Sequence, residues 1–328
     1  MLDARLDDFD DLARLFASWG GEFRQMSRGA FHGRIRVLGG ARIRLFQVQV
    51  NQALLTRGVD DTDYVTCIPI TPRNERTLWH DRRLRHGQLL VKPPSVPYEN
   101  QVQRDTAFQT LLASRAAVLE AGRALSGHAA EPQIDVWAGH TPPPTVLRRL
   151  TQFMGQVLAD SQRSPSLLAG PGGEEIEDHC LRLLVDALLA PDVVPQALLY
   201  IHARAALVRR AQSLMQDALC SGQTLRAQDL CTAVGASDRM LRRAFHETFG
   251  VGPIAYLRLL RLHAARDALK AARGGAAGVA QIAAAWGFHR AGAFAVEYRR
   301  QFGEAPSATL GVRGCRGVQG MVRAGLLG

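Results

Sequence analysis

The stretch DLCTAVGASDRMLRRAFHETFGVGP, Asp229 to Pro253, decides how this 328-residue chain is read, because it occurs twice. Its second form is QIAAAWGFHRAGAFAVEYRRQFGEAP, Gln281 to Pro306. Leu230, Ala233 and Gly235 match Ile282, Ala285 and Gly287 at a spacing of 52. Leu241, Phe245, Phe249, Gly250 and Pro253 match Phe294, Tyr298, Phe302, Gly303 and Pro306 at 53. One residue is therefore inserted after the first glycine of the second copy. Each copy reads as helix, tight turn, helix. Gly235 and Gly287 fall where a chain leaving a helix commonly turns left-handed. Ser237 follows as N-cap, Leu241 and Phe245 bury one face, Gly250 ends the helix, and Pro253 opens the next.

Two helices joined by so short a turn form the helix-turn-helix unit, whose second helix enters the DNA major groove. Between the copies IAYLRLLRLHAARDALKAA, 254–272, contains no helix breaker. At 1.5 Å per residue this spacer is roughly 28 Å long. Half-sites on one face of DNA lie about 34 Å apart, so a rigid rod of this length suits two helices reading successive grooves.

The segments AVGASDRMLRRAFHETFGVGPIAYLRLLRLHAAR, 233–266, and IAAAWGFHRAGAFAVEYRRQFGEAPSATL, 282–310, resemble the DNA-binding domain of AraC/XylS-family transcription regulators. The resemblance spans Ala203–Leu310, about a third of the chain. Farther upstream only GQLLVKPPSVPYE, 87–99, is similar to the family's cupin-like sensor. The implied fold is α+β: a cupin-like β-rich sensor with helices over 1–142, a helical dimerisation or connecting region over 143–194, an all-α double helix-turn-helix domain over 195–310, and a disordered tail over 311–328.

Arg239, Arg242 and Arg243 share one helical face at i, i+3, i+4, and the resemblance makes that the base-reading face. An arginine there can donate a bidentate pair to guanine O6 and N7. Their equivalents in the second copy are Gly292, Ala295 and Val296. No long polar chain remains at its centre; His289 and Arg290 precede the helix, and Arg299 and Arg300 close it. That motif is expected to grip phosphates and shape; contact with RNA polymerase is the competing reading, and apolar contact with thymine methyls stays open. Arg226, Arg258 and Arg261 complete the expected phosphate-facing set. Trp286, Phe288 and Phe294 are expected in the core.

The charge agrees. Of the net +10, the segment from Pro195 onward holds 18 Arg/Lys against 7 Asp/Glu, a local +11, and the other 194 residues carry −1. Such asymmetry points to a polyanionic partner, with nucleic acid foremost. The five cysteines form no CxxC pair and the ten histidines no HxH or HExxH spacing, so neither a metal site nor a disulfide framework is expected. The first residues, MLDARLDDFDDLARLF, are acidic and lack the apolar run of a signal peptide, and no stretch is long enough for a bilayer span. A cytoplasmic location is expected.

Upstream, residues 3–19 and 107–125 read as helices, and 35–102 as short β-rich runs punctuated by Gly, Pro and Asn/Asp. Helices return at 145–159 and 174–190; the latter carries Ile176, Cys180, Leu183, Leu184, Ala187 and Leu188 on one stripe, open to packing in its own domain or to a dimer seam. Tyr64, Trp79, Tyr98 and Trp137 are the candidate effector-pocket residues, because large rings commonly line pockets. A cupin-type metal enzyme would need clustered histidines, which His80 and His86 do not supply. The chain is thus expected to be a non-enzymatic regulator of promoter DNA without cofactors: a homodimer engaging RNA polymerase, answering an unknown small molecule, and an activator, the family's commoner mode. An effector-independent repressor or architectural protein is the alternative.

Overall fold

The computed structural model describes residues 1–16, 21–59, 62–79, 82–126, 132–170, 172–189, 193–195, 203–272 and 277–311. The tail from 312 onward and His80 lie outside them. The chain divides into two compact units. The first takes the described residues up to Pro195 except Met26–Ala30; the second takes 203–311 together with Met26–Ala30.

The first unit is built on two antiparallel sheets. Its elements run β1 (Leu2–Leu6), α1 (Phe9–Leu15), β2 (Glu22–Gln25), β3 (Gly33–Gly39), β4 (Ile43–Val50), β5 (Leu54–Gly58), β6 (Tyr64–Pro69), β7 (Leu78–Trp79), β8 (Arg82–Arg83), β9 (Leu89–Lys92), β10 (Tyr98–Val102), β11 (Thr106–Ser114), α2 (Arg115–Ser126), β12 (Ala138–His140), α3 (Pro144–Asp160), α4 (Gly173–Leu188) and β13 (Val193–Pro195). The larger sheet has the order β1-β3-β4-β11-β6-β9-β12-β13, and the smaller β2-β5-β10-β7-β8.

Period-two alternation divides the larger sheet between two buried environments. Odd-numbered Ile43, Leu45, Val65, Cys67, Leu89 and Val91 join a core with α2, α3 and α4. Even-numbered Phe46, Val48, Thr66, Ile68, Leu90 and Lys92 line a cavity closed on its other side by residues of the smaller sheet. Two covered faces explain why LLVK of β9 is buried throughout.

Two expectations about elements are corrected. Leu2–Leu6 is a strand whose burial alternates residue by residue, with the helix starting only at Phe9 behind the N-cap Asp8. Thr106–Ser114 is also a strand, paired with β4 on one side and β6 on the other, and helix begins at Arg115. An apolar run such as TLLAS fits either period, and pairing on both edges decides for strand.

The stripe of α4 is consumed inside this unit. Cys180, Leu183, Leu184, Ala187 and Leu188 are buried in the helix–sheet core, with Ile176 packed at its margin. The dimer-seam reading of that stripe is therefore overturned, and the described residues of 143–194 pack as part of the first unit. Glu177, 1% exposed, pins the helix in place. Its carboxylate accepts from the backbone N–H groups of Arg42 (3.0 Å) and Ile43 (3.3 Å) and from Arg42 Nε (3.1 Å).

The second unit is helical: α5 (Ala203–Cys220), α6 (Ala227–Val234), α7 (Asp238–Phe249), α8 (Pro253–Ala271), α9 (Val279–Ala285), α10 (Ala291–Phe302) and α11 (Pro306–Gly311). Two aromatic clusters, one per repeat, form its interior. Phe245, Phe249 and Tyr256 pack together, and Gln212 Nε2 donates to Tyr256 Oη (2.9 Å). Phe288, Phe294, Tyr298 and Phe302 form the equivalent stack. Phe288 and Phe294 are buried, while Trp286 is half-buried.

Candidate nucleic-acid interface

Helix α6 ends on Gly235 at φ 69°, a left-handed residue that lets the chain reverse without a Cβ penalty. Ser237 then caps α7, its Oγ accepting from Met240 N at 3.3 Å, so one hydroxyl lone pair is committed to the cap. Leu241, Ala244, Phe245 and Phe249 face inward. This phase leaves Arg239, Met240, Arg242 and Arg243 on the solvent side.

Two of those arginines are held by acids on their own helix. Arg242 Nε meets Asp238 at 2.7 Å and Arg243 Nε meets Glu247 at 2.8 Å, with the arginine side chains 62% and 74% exposed. The neighbouring carboxylates hold both guanidinium groups above their ordinary pKa, so both stay charged. Exposed i,i+4 pairs are weak. An incoming anion would displace such a carboxylate at small cost. Arg239 is exposed and takes part in no ion pair among the described residues.

The second repeat has the same backbone and a different surface. Gly287 is left-handed at φ 81°, and Arg290 occupies the N-cap of α10 without a side-chain cap. His289, Arg290, Gly292, Arg299 and Arg300 are exposed, and Val296, the counterpart of Arg243, is 72% exposed. A β-branched apolar side chain so open to water has no packing role within its own domain. Met240, 59% exposed among the arginines of α7, is a further surface apolar residue that sequence reasoning passed over; its helical phase, off the Leu241–Phe245 stripe, was the available signal.

The remaining expected cations divide. Arg226 is exposed at the N-cap of α6, its backbone N–H donating to Asp229 Oδ2 at 3.0 Å. Arg261 is half-buried on α8. Arg258 forks onto Glu297 and lies 5.2 Å from the Phe288 ring centroid, so its side chain is engaged in joining α8 to the second repeat.

Of the expected effector residues, Trp79, Tyr98 and Trp137 line one cavity in the first unit. Tyr64 is not among the residues lining it; its ring packs under the Arg44 guanidinium, 4.7 Å from the centroid.

Compared with known proteins, residues 230–311 match the family model described as a helix-turn-helix domain. Residues 230–311 are a helix-turn-helix domain of the AraC type. A probable thc operon regulatory protein of Rhodococcus erythropolis is 38% identical over 88 residues, 27% of this chain and 26% of the relative. The chain thus matches about a quarter of that relative's length. Among solved structures, a probable AraC family transcriptional regulator from Rhodopseudomonas palustris is 30% identical, covering 32% of this chain and 94% of that one at a TM-score of 0.30. The AraC-like transcriptional activator CuxR is 17% identical, covering 80% of this chain and 93% of that one at a TM-score of 0.41.

Proposed function

We propose that this protein is a sequence-specific, double-stranded-DNA-binding transcription regulator whose AraC-type domain reads a promoter chiefly through α7. The observation that carries the reading is the exposed arginine face of that helix, held outward by a capped N-terminus and a buried Leu241–Phe245 stripe. Arginines in a major groove supply base discrimination, and Arg299 and Arg300 at the end of α10 supply phosphate grip. The local charge of +11 provides the long-range attraction.

The first unit is the sensor, binding a small molecule that shifts the population of DNA-competent states. Its cavity, lined by Trp79, Tyr98 and Trp137, supports that role. The regulator acts as a homodimeric activator in contact with RNA polymerase, in the cytoplasm, and without catalytic chemistry of its own.

The test is genome-wide recovery of bound fragments, followed by titration of one recovered site at 50 and 200 mM salt. Neutralising about six phosphates weakens binding by roughly 10³ between those concentrations. Equal affinity at both salts, or no enriched sequence among the fragments, overturns the proposal.

A further inference from the structure

Phe294 and Tyr298 of α10 take the buried places of Leu241 and Phe245, 53 residues farther on. Val296 stands two residues beyond Phe294, as Arg243 stands two beyond Leu241, so repeat symmetry puts both on the equivalent outward face. Among the described residues Val296 is the most exposed large apolar side chain. Gly292 and Ala293 lie one turn before it, Arg299 and Arg300 one turn after, and all four are exposed. His289 and Arg290, just ahead of the helix, are exposed as well. The one acid of α10, Glu297, is bound by Arg258. An apolar spot thus sits inside a cationic rim.

Size and charge select what meets this spot. A stable protein partner covers about 800 Å² on each side and leans on large anchors, which one valine beside two of the smallest residues does not supply. A polyanion suits the rim, and the DNA major groove offers an apolar feature one methyl wide, at C5 of thymine. That groove is about 12 Å wide and a helix with its side chains about 10–12 Å across, so trimming the central side chains lets the axis settle deeper. At Gly292 even an added Cβ would meet nothing within 4 Å.

We infer that Val296 is a specificity-determining residue that reads a thymine by its C5 methyl, while Gly292 and Ala293 admit the base edge and Arg299 and Arg300 hold the flanking phosphates. This rests on the regulator reading above and adds to the arginine readout of α7 a second readout that ignores hydrogen bonds. Valine has neither donor nor acceptor on its side chain, so the donor and acceptor pattern that distinguishes base pairs is lost on it. What it senses is the methyl, and 5-methylcytosine carries the same group at the same ring position. A 5-methylcytosine·guanine pair therefore replaces the thymine·adenine pair at this position better than an unmethylated cytosine·guanine pair does.

The experiment takes one duplex recovered in the genome-wide search, replaces its thymines by deoxyuridine one at a time, and titrates each duplex with the full native chain and with full-length Val296→Ala. Deoxyuridine removes the methyl and keeps every hydrogen bond. For the native chain at least one replacement should weaken binding about four-fold, the worth of one buried methyl. The same replacement should change nothing for Val296→Ala, whose circular dichroism stays native because the position is exposed. At that thymine, 5-methylcytosine should bind the native chain about four-fold more tightly than cytosine, and Val296→Ala should lose the difference. The inference is overturned if every uracil effect is the same in both proteins, or if methylating the cytosine changes nothing. An unchanged uracil scan together with weaker capture of RNA polymerase by Val296→Ala would assign the spot to a protein partner and overturn it too. Intact duplex binding without a Val296-dependent uracil effect sinks this inference alone; a native chain that binds no recovered duplex sinks the regulator reading and this inference with it.

Discussion

Arg258 of α8 grips Glu297 of α10 with two parallel N–H···O bonds across 39 residues of sequence. The same guanidinium covers the Phe288 ring. One side chain thus ties α8 to α10, the second helix of the second repeat, and only an arginine offers the planar fork this needs. A residue occupied in this way contributes little to phosphate neutralisation. Arg300→Ala should reduce the slope of log K against log salt by about 1, whereas Arg258→Ala should leave the slope nearly unchanged and lower stability. The stability loss is small, about 1 kcal/mol, because the Arg258 side chain is 51% exposed. Salt titration of both variants, with urea unfolding alongside, checks the contrast. Equal slope changes would return Arg258 to the DNA-facing set.

Arg243 and Val296 hold equivalent places in the two repeats, one cationic and one apolar, and both are largely exposed. Arg243→Ala is therefore expected to cost selectivity by about five- to a hundred-fold for the preferred over a scrambled site, with the fold intact. Val296→Ala removes only apolar contact and should change selectivity less. Competition binding with the two duplexes measures both. The reverse order would mean that α10, not α7, dominates recognition.

Much of the AraC-type domain was legible because its signals are local. Gly235, Ser237, Gly250 and Pro253 each act through their own backbone torsion or cap, and the structure has each acting so. The N-terminal strands were legible as a region but not at their edges. Leu2–Leu6 and Thr106–Ser114 become strands through pairing with β3, β4 and β6, partners distant in sequence and absent from any local pattern. Pairing of Arg258 with Glu297 escaped notice for the same reason. Trp79, Tyr98 and Trp137 could be singled out by ring size alone, but Lys92 could not. Its burial depends on β9 having both faces covered, a consequence of sheet order.

Glu177 is the clearest long-range dependency in the first unit. Its carboxylate serves two backbone N–H groups and the Arg42 guanidinium, and a Cβ added at Gly40 would collide with it. Glu177→Ala leaves those buried donors unsatisfied and should cost about 3 kcal/mol. Gly40→Ala should destabilise in the same direction by displacing the carboxylate, and the double variant should lose less than the two single losses combined. Urea midpoints for the three variants decide the matter; strict additivity would show that Gly40 acts independently of Glu177.

His140 sets a further dependence, on pH. It sits fully buried on β12, and burial lowers its pKa from the ordinary value of 6.5 by disfavouring the charged ring. The unfolded chain takes up this proton near pH 6.5, whereas the folded chain resists it until a lower pH. Folding stability from this group is therefore full above about pH 6.5 and declines below it, by at most about 1.4 kcal/mol per pH unit. His140→Gln cannot titrate and should lack that part of the decline, so its stability should fall less than that of the native chain between pH 7.5 and 5.5. Chemical unfolding at the two pH values reads the difference directly. Identical declines would show that the folded chain takes up the His140 proton as readily as the unfolded chain does, and would overturn the prediction.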